Sequence, residues 1–524
     1  MRPTLVEEPT LGTLARRRAQ ATPDATAFVE PDGTGISFAR IVAEAVEVAA
    51  GPASLGLESG DTFSFQLPNW REAVAINLAA ALLGLRINPI TPIYRGAELR
   101  MILADSGSRL IFAPTLYRSN DYAAMLRELR GELPSLEHVV TVRGEAAEGL
   151  GYEALRASGR DKPIQNWPSV APASPKMLLY TSGTTGRAKG AVHSHLSMMA
   201  YARSSADYWR LDASDMMLMP SPVTHVTGYT FGMELPFICG TKAVLMERWD
   251  AAQAVDLIDR LGVTCSVGAT PFLKELIDEA QRLASRLPSL RLFACGGAAA
   301  SAALIRRVPV ATERCHAFRI YGATEAPMVT KGVIDPARPD VAGETDGLVI
   351  DYEVKVVDTE GRTISDGSPG ELLVKGPSLF TGYTDPRETA HALDEEGYFR
   401  TGDIGIYRDG AVTITGRLKD IIIRGGENIS PAEIEAALER HPAISEAAVV
   451  AMPHPRLGEG VCAFLRPAVG KAEQPALSAI VSFLDAAGLA RQKFPERVLY
   501  LDDFPRTPSG KIRKDLLRAR AREV

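Results

Sequence analysis

The chain has 524 residues, 46% hydrophobic and 23% charged, which is too long for one compact core and makes two or more folded domains the expectation. Lys plus Arg number 58 against 64 for Asp plus Glu, a formal net charge of -6, so no basic excess suits a phosphate backbone and nucleic acid is set aside as a main partner. Cys239, Cys265, Cys295, Cys315 and Cys462 lack CxxC or Cys/His ligand spacing, a pattern of reduced thiols in a cytoplasmic compartment.

The start, MRPTLVEEPTLGTLARRR, has no apolar signal-peptide core, and the most apolar long stretch, Ala73 to Leu85, is too short to cross a membrane and contains Asn77. A buried helix is expected there, and no transmembrane segment. Residues 10 to 170 alternate helix-like patterns (Leu11 to Ala21, Ile41 to Ala50, Ala73 to Leu85) with short β-rich runs such as Thr62 to Gln66 and Leu110 to Phe112. From 176 to 330 the runs KMLLY, KAVLM, CSVGA and RLFAC read as buried strands, with helical segments such as Ala252 to Leu261 between them. The alternation predicts an α/β layer architecture around a parallel or mixed sheet.

Between 343 and 416 Gly/Asp turns separate the Val-rich runs YEVKVVDTEGR, GELLVKG and DGAVTITG, the texture of a small antiparallel β unit. After Arg417, SPAEIEAALERH places Ser430 at the N-cap, Pro431 at N1 and Glu433 at N3 of a helix, which predicts a capping box. AISEAAVVAMP then opens a compact βαβ-like tail. The chain is therefore expected to divide into a large α/β domain with its small β unit, 1–417, and a small α+β domain, 418–524, with no carrier-protein module behind it.

One loop calls for chemistry. In LLYTSGTTGRAKGAVHSH an apolar run leads into glycines and hydroxyls closed by a lysine, an arrangement whose backbone N–H groups, hydroxyls and charge can hold phosphate oxygens. The nucleotide P-loop GxxxxGK[ST] does not fit: Gly186 follows Gly183 at +3, Lys189 comes three residues later, and Gly190 stands where Ser or Thr is required. Taken alone, the loop reads equally as a glycine-rich surface turn.

It is followed in order by YGATE (321–325), GELLVKGPSLFTGY (370–383), YFRTGDIG (398–405), GRLKDIIIRGGENISPAEIE (416–435) and PRTPSGKIRK (505–514). Together these six motifs resemble the adenylate-forming superfamily of acyl- and aryl-CoA synthetases, peptide-synthetase adenylation domains and luciferases. SFQLPNW, INPITPIYR and THVTGYTFGMELPF look most like stand-alone synthetases for fatty, alicyclic or aromatic acids. The resemblance spans the chain and is weakest over the first 170 residues.

The chemistry it implies is attack of a carboxylate on the α-phosphate of ATP, then displacement of AMP by the thiol of CoA. Both first reactants are anionic, so positive charge and alignment matter more than a base. By resemblance, Lys511 bridges carboxylate and α-phosphate; Thr324 donates to that phosphate; Glu325 supports Mg²⁺; and Thr181, Ser182, Gly183, Thr184, Thr185, Gly186 and Lys189 form the phosphate loop. Tyr321 stacks on adenine beside Gly322, while Gly296, Gly297 and Ala298 admit the base. Asp403 accepts the ribose hydroxyls and Arg417 reaches the ribose or phosphate. Lys419 stands at the hinge, where aspartate is frequent in the family, and rotation there moves the small domain to bring Gly425 and Gly426 to the CoA channel. His225 lies between acyl pocket and thiol channel, although a lone histidine in an apolar stretch also reads as structural. His193 and His195 read as loop or helix-start residues.

The acyl pocket implied by the resemblance draws on Val226 to Phe231, Ala298 to Ala300 and Ala326 to Met328, small or apolar residues without a charge to pair with substrate. An uncharged, bulky apolar acid is favoured over malonate or an amino acid, and the acidic residue that amino-acid-activating domains use near this point is missing. Pro327, after TEA, is a local departure. Other acceptors stay open: a carrier protein, an amine, or a single half-reaction beside a partner enzyme. A non-enzymatic scaffold on this fold is disfavoured because the catalytic positions are intact, and a homodimer is left open.

Overall fold

A computed structural model describes residues 9–145, 149–181, 188–297, 300–335, 337–424, 427–468, 474–507 and 510–523. The chain packs as two compact units. The first comprises Met1–Gly343, Val349–Glu353 and Lys375–Phe399; the second comprises Glu344–Leu348, Val354–Val374 and Arg400–Val524. The small β unit thus packs with the carboxy-terminal residues. The boundary at 417–418 drawn from the motifs is a different division.

The first unit is built on two mixed sheets. One runs in the order His316–Ile320, Leu292–Gly296, Cys265–Gly268, Met216–Met219, Lys242–Leu245, Thr26–Val29, Gly35–Ser37, parallel except for the last pair. Helices Ala251–Leu261 and Thr270–Arg282 supply Leu257, Ile258, Leu273 and Ile277 to a core closed by Leu218, Val244 and Phe293 of the strands. The runs KAVLM, CSVGA and RLFAC appear where their unbroken hydrophobicity predicts strands buried on both faces. The second sheet runs Gly382–Tyr383, Lys189–Ser194, Pro175–Thr181, Arg86–Pro89, Thr62–Phe65, Leu110–Ala113, His138–Thr141, Leu150–Gly151.

Helix Leu11–Ala21 has the bounds its pattern predicts and is capped by Thr10, whose hydroxyl accepts from Thr13 N. Helix Arg71–Leu83 is buried at every position from Glu72 to Leu83, which accounts for its lack of a polar face. Its two interior polar side chains are satisfied locally. Glu72 receives Arg143 through two bonds of 2.8 and 2.9 Å, and Asn77 joins a closed polar ring. In that ring Lys176 Nζ donates to Tyr229 Oη (2.7 Å) and to Glu234, Tyr229 donates to Asn77 Oδ1 (2.5 Å), and Asn77 Nδ2 donates to Glu234 Oε1 (3.1 Å). Tyr229 and Glu234 belong to a π-helical turn, Gly228–Glu234. No helix among the described residues is long and apolar enough to cross a membrane.

The expected small β unit is a four-stranded sheet, Glu353–Val357, Gly370–Lys375, Phe399–Arg408 and Ala411–Arg417, most of it in the second unit. The tail begins with an antiparallel pair, Ile444–His454 and Gly458–Pro467, and only the next steps, helix Leu477–Ala486 and strand Arg497–Tyr500, complete a βαβ unit. Alternation along Ile444–His454 covers both faces: Val449 joins Ile434, Leu438 and Ile480, while Val450 joins Phe464 and Leu517. The capping box expected at Ser430 does not form. Ser430 makes no side-chain cap bond to helix Pro431–Leu438; its hydroxyl donates instead to the Thr415 carbonyl, so the side chain is engaged with the neighbouring strand rather than with its own helix.

The ring around Lys176 makes a stability prediction. Lys176→Met leaves the Glu234 carboxylate buried without its cation and should destabilise the protein by about 3–5 kcal/mol. Adding Glu234→Gln removes the charge and keeps an acceptor for Asn77, so the double variant should recover at least half of that loss in urea unfolding. Additive losses would contradict the pairing.

Candidate active site

The phosphate-loop motif is the connection of a hairpin. Strands Pro175–Thr181 and Lys189–Ser194 pair antiparallel from Met177↔His193 to Thr181↔Lys189, so the motif begins and ends on one hairpin. Ser182, Gly183, Thr184, Thr185 and Gly186 lie outside the described residues. Gly190 is required by packing: a Cβ there would stand 2.9 Å from Leu178 Cδ1 and 3.0 Å from Thr384 Cγ2. That closeness lets Gly382–Tyr383 pair with Ala191 and Val192 as a third strand.

Glu325 ties three segments together. The residue is 7% exposed, and Oε1 accepts from Tyr383 Oη (2.7 Å) on the third strand and from Thr181 Oγ1 (3.3 Å) at the hairpin tip. Its carbonyl accepts from Phe380 N at 2.8 Å. Among the described residues no hydrogen bond falls on Oε2, which leaves a hard anionic oxygen beside the phosphate-loop motif. A Mg²⁺ ion that arrives on phosphates takes one or two such oxygens from the protein, and Glu325 fits that requirement. Burial and the Glu325 carboxylate raise the Tyr383 phenol well above its ordinary range, so Tyr383 remains a donor.

The neighbouring Thr324 is held by its backbone. His193, fully buried on the strand Lys189–Ser194, donates from Nε2 to the Thr324 carbonyl at 2.8 Å, and its Nδ1 lies 3.0 Å from Ser197 Oγ. The carbonyl can only accept, which fixes the Nε2–H tautomer and makes the serine hydroxyl the donor to Nδ1. Burial lowers the His193 pKa to about 4 and that of His195, at the first position of helix His195–Trp209, to about 3. Gly322 has no room for a side chain: a Cβ would stand 2.3 Å from Met328 N. The loop 321–328 folds tightly there, with Tyr321 N on Thr330 Oγ1 (2.8 Å) and Ala323 N on the Ala326 carbonyl (3.0 Å).

Gly297 and Tyr321 are neighbours by topology, since each follows the last residue of a register pair, Gly296↔Ile320, on adjacent parallel strands. His225 follows Met216–Met219 of the same sheet. These loops share the carboxyl edge of a parallel sheet, where α/β proteins place their ligands. His225 is half-buried, and its Nδ1 accepts from Thr227 N at 3.4 Å. Ala298 lies outside the described residues.

Lys189 departs from the simple expectation of a free phosphate-binding charge. Its ammonium pairs with Glu388 and lies 5.4 Å from the centre of the Tyr383 ring, which places its charge beside the tyrosine that holds Glu325. Tyr383 and His193 are the site residues that sequence reading missed. The final tyrosine of GELLVKGPSLFTGY was a signal for the first; for the second, a histidine in an alternating strand carries none.

In the second unit Asp403 and Arg417 face each other on paired strands, with Arg417 Nε 2.7 Å from an Asp403 carboxylate that is almost wholly buried. Lys419 sits on a single 3₁₀ turn, Leu418–Asp420, whose end is pinned by Arg518 to Asp420 Oδ1 at 2.7 Å. Gly425 and Gly426 lie outside the described residues. Lys511 closes a tight turn in which Thr507 N donates to the Lys511 carbonyl (2.7 Å) and Lys511 N donates to Thr507 Oγ1 (3.1 Å).

A family profile described as AMP-binding enzyme matches residues 15–384, and one described as AMP-binding enzyme C-terminal domain matches residues 433–511. The medium-chain fatty-acid–CoA ligase of Escherichia coli (strain K12) is 35% identical over 509 residues, covering 96% of this chain and 89% of that protein. The 3-[(3aS,4S,7aS)-7a-methyl-1,5-dioxo-octahydro-1H-inden-4-yl]propanoyl:CoA ligase of Mycobacterium tuberculosis is 33% identical over 514 residues, covering 96% and 97%. The crystal structure of ATP-bound MatB from Rhodopseudomonas palustris has a TM-score of 0.84 at 26% identity, covering 98% of this chain and 99% of that one.

The two buried histidines predict acid sensitivity. Each stays neutral in the folded protein below the pH at which it protonates when unfolded, so the unfolded chain binds more protons and stability falls as pH drops below about 6.5. From pH 7.5 to 5.5 the pair should cost about 2.5 kcal/mol in urea unfolding, and His195→Met should remove about half of that drop. An unchanged pH profile in His195→Met would contradict this.

Proposed function

The chain belongs to the AMP-binding enzyme family, and from that membership we propose that it is an ATP-dependent carboxylic acid–CoA ligase. A carboxylate oxygen attacks the α-phosphorus of ATP, the bond to pyrophosphate breaks, and the resulting acyl-adenylate loses AMP to the CoA sulfur as the thiol proton leaves to solvent. The observation that carries the reading is Glu325: a buried residue with one carboxylate oxygen held by Thr181 and Tyr383 and the other left for a ligand, at the strand end where the phosphate-loop motif begins.

Each residue then has a task its surroundings suit. The phosphate loop and Lys189 cradle the β- and γ-phosphates, and Thr324, its backbone fixed by His193, presents its hydroxyl to the α-phosphate. Glu325 would hold Mg²⁺, which when bound would neutralise phosphate charge. Tyr321 stacks on adenine next to Gly297, and Asp403, its charge balanced by Arg417, accepts the ribose hydroxyls. Lys511 meets the carboxylate and the α-phosphate, where a point charge on a flexible stem offsets the repulsion of two anions. Rotation at Lys419 then exchanges Lys511 for the backbone at Gly425 and Gly426, which lines the path of CoA.

The acid is apolar. Val226, Tyr229, Phe231, Ala326 and Met328 are buried, and the charged pair against Tyr229, Lys176 and Glu234, is spent on itself. A second carboxylate or an ammonium on the substrate would find no partner among these residues and would pay its desolvation. Medium-chain, alicyclic, aromatic and polycyclic acids fit, in keeping with the ligase names among the relatives. A cytoplasmic setting follows from CoA and ATP as co-substrates.

Mass-spectrometric product analysis with Mg-ATP, CoA and acids graded by size tests the proposal. Acyl-CoA and AMP should appear together for one apolar size class and not for malonate or amino acids. Adenylate without thioester would move the acceptor to an amine or a carrier protein, and no turnover of any acid, whether to adenylate or to thioester, would overturn the reading.

A further inference from the structure

The turn that carries Lys511 is tied to a rigid strand by one side chain. Arg506 Nη2 donates to both oxygens of Glu446, at 2.7 and 2.5 Å, while Nη1 of the same guanidinium donates to the carbonyl of Gly510 at 3.1 Å. Glu446 sits on strand Ile444–His454, opposite Arg466, whose Nη1 is 3.8 Å from Glu446 Oε2. The backbone brackets the turn: Arg506 forms an antiparallel bridge with Ile512, Gly510 N donates to the Thr507 carbonyl at 2.9 Å, and Arg513 N donates to that of Pro505 at 2.7 Å. Gly510 itself holds a φ of +82°, a left-handed conformation that glycine adopts at little cost. The carbonyl that Arg506 grips is therefore the one directly before Lys511.

We propose that Arg506 is a positioning residue for adenylation, with Glu446 as its anchor: the guanidinium fork joins strand Ile444–His454 to the Gly510 carbonyl and so fixes the backbone from which Lys511 reaches. The inference rests on the role proposed above for Lys511. Arginine suits the task because its planar fork satisfies a carboxylate and a carbonyl at once in a fixed geometry, which a lysine ammonium at the end of a flexible stem does not. Arg506 and Glu446 side chains are 22% and 23% exposed, shielded enough for the pair to hold its geometry and open enough that its loss does not leave a deeply buried charge. A small error in placement is costly at a reacting centre: displacement by about 1 Å can lower a rate a hundredfold.

The two half-reactions separate positioning from general structural damage, because Lys511 serves the first and is withdrawn in the second. Full-length Arg506→Gln should lose roughly tenfold to a hundredfold in kcat for acid-dependent adenylation with the KM for ATP little changed. Conversion of supplied acyl-adenylate and CoA to thioester should stay within about twofold of wild type. Glu446→Gln, which keeps an acceptor, should fall between wild type and Arg506→Gln, and Arg506→Lys should recover adenylation only in part. Hydrogen exchange gives a readout independent of turnover: in Arg506→Gln the amides of Gly510 and Lys511 should exchange faster while those of Ile444–His454 keep their protection. Equal loss in both half-reactions, or unchanged exchange at Gly510 and Lys511, would overturn the proposal. A wild type that adenylates no acid would instead overturn the ligase reading, and the exchange result would still decide the clamp.

Discussion

One carboxylate joins three segments at the site of the first unit. Glu325 receives the hairpin tip through Thr181, the third strand through Tyr383 and, by its carbonyl, the segment at Phe380. Three stretches distant in sequence are registered to each other at this residue. A charged hydrogen bond in a shielded place is stronger than a neutral one and depends on geometry, so the same contacts that order the segments also aim the remaining oxygen of Glu325. Structure and proposed chemistry draw on one set of bonds.

The surrounding scaffold keeps that carboxylate from competing with other charges. Lys176 and Glu234 are buried within reach of the hairpin and the apolar segment, yet they close on each other with Asn77 and Tyr229. His193 and His195 are held neutral by burial, so His193 grips Thr324 through a single fixed tautomer without adding a positive charge beside it. Burying polar groups costs stability, and the chain offsets that cost by satisfying Lys176, Glu234, Asn77 and His193 with one another and with the backbone.

Much of this was legible in the sequence. Short unbroken apolar runs such as KAVLM and RLFAC became parallel strands because a strand covered on both faces has no polar side to show, and Leu11–Ala21 declared its bounds through its period. The motif residues Thr181, Thr324 and Glu325 do meet, and Gly297 and Tyr321 do lie on adjacent strand ends. What stayed hidden depends on partners far along the chain. Ser430 carries every local mark of a cap, and a neighbouring strand takes its hydroxyl. Lys176 looks like a strand-end charge until Glu234 appears beside it. His193 and Tyr383 gain meaning only from Thr324 and Glu325, which local spacing cannot supply. The packing of the small β unit with the tail likewise follows from contacts between strands rather than from any change of composition.

The most direct test of the central claim is ATP–pyrophosphate exchange in the presence and absence of an apolar acid, measured for wild type and Glu325→Gln. The account predicts acid-dependent exchange in wild type and a fall of roughly a hundredfold to a thousandfold in Glu325→Gln, with unfolding in urea little changed because glutamine still accepts from Thr181 and Tyr383. Exchange that survives the substitution at the wild-type rate, or that proceeds without acid, would contradict it.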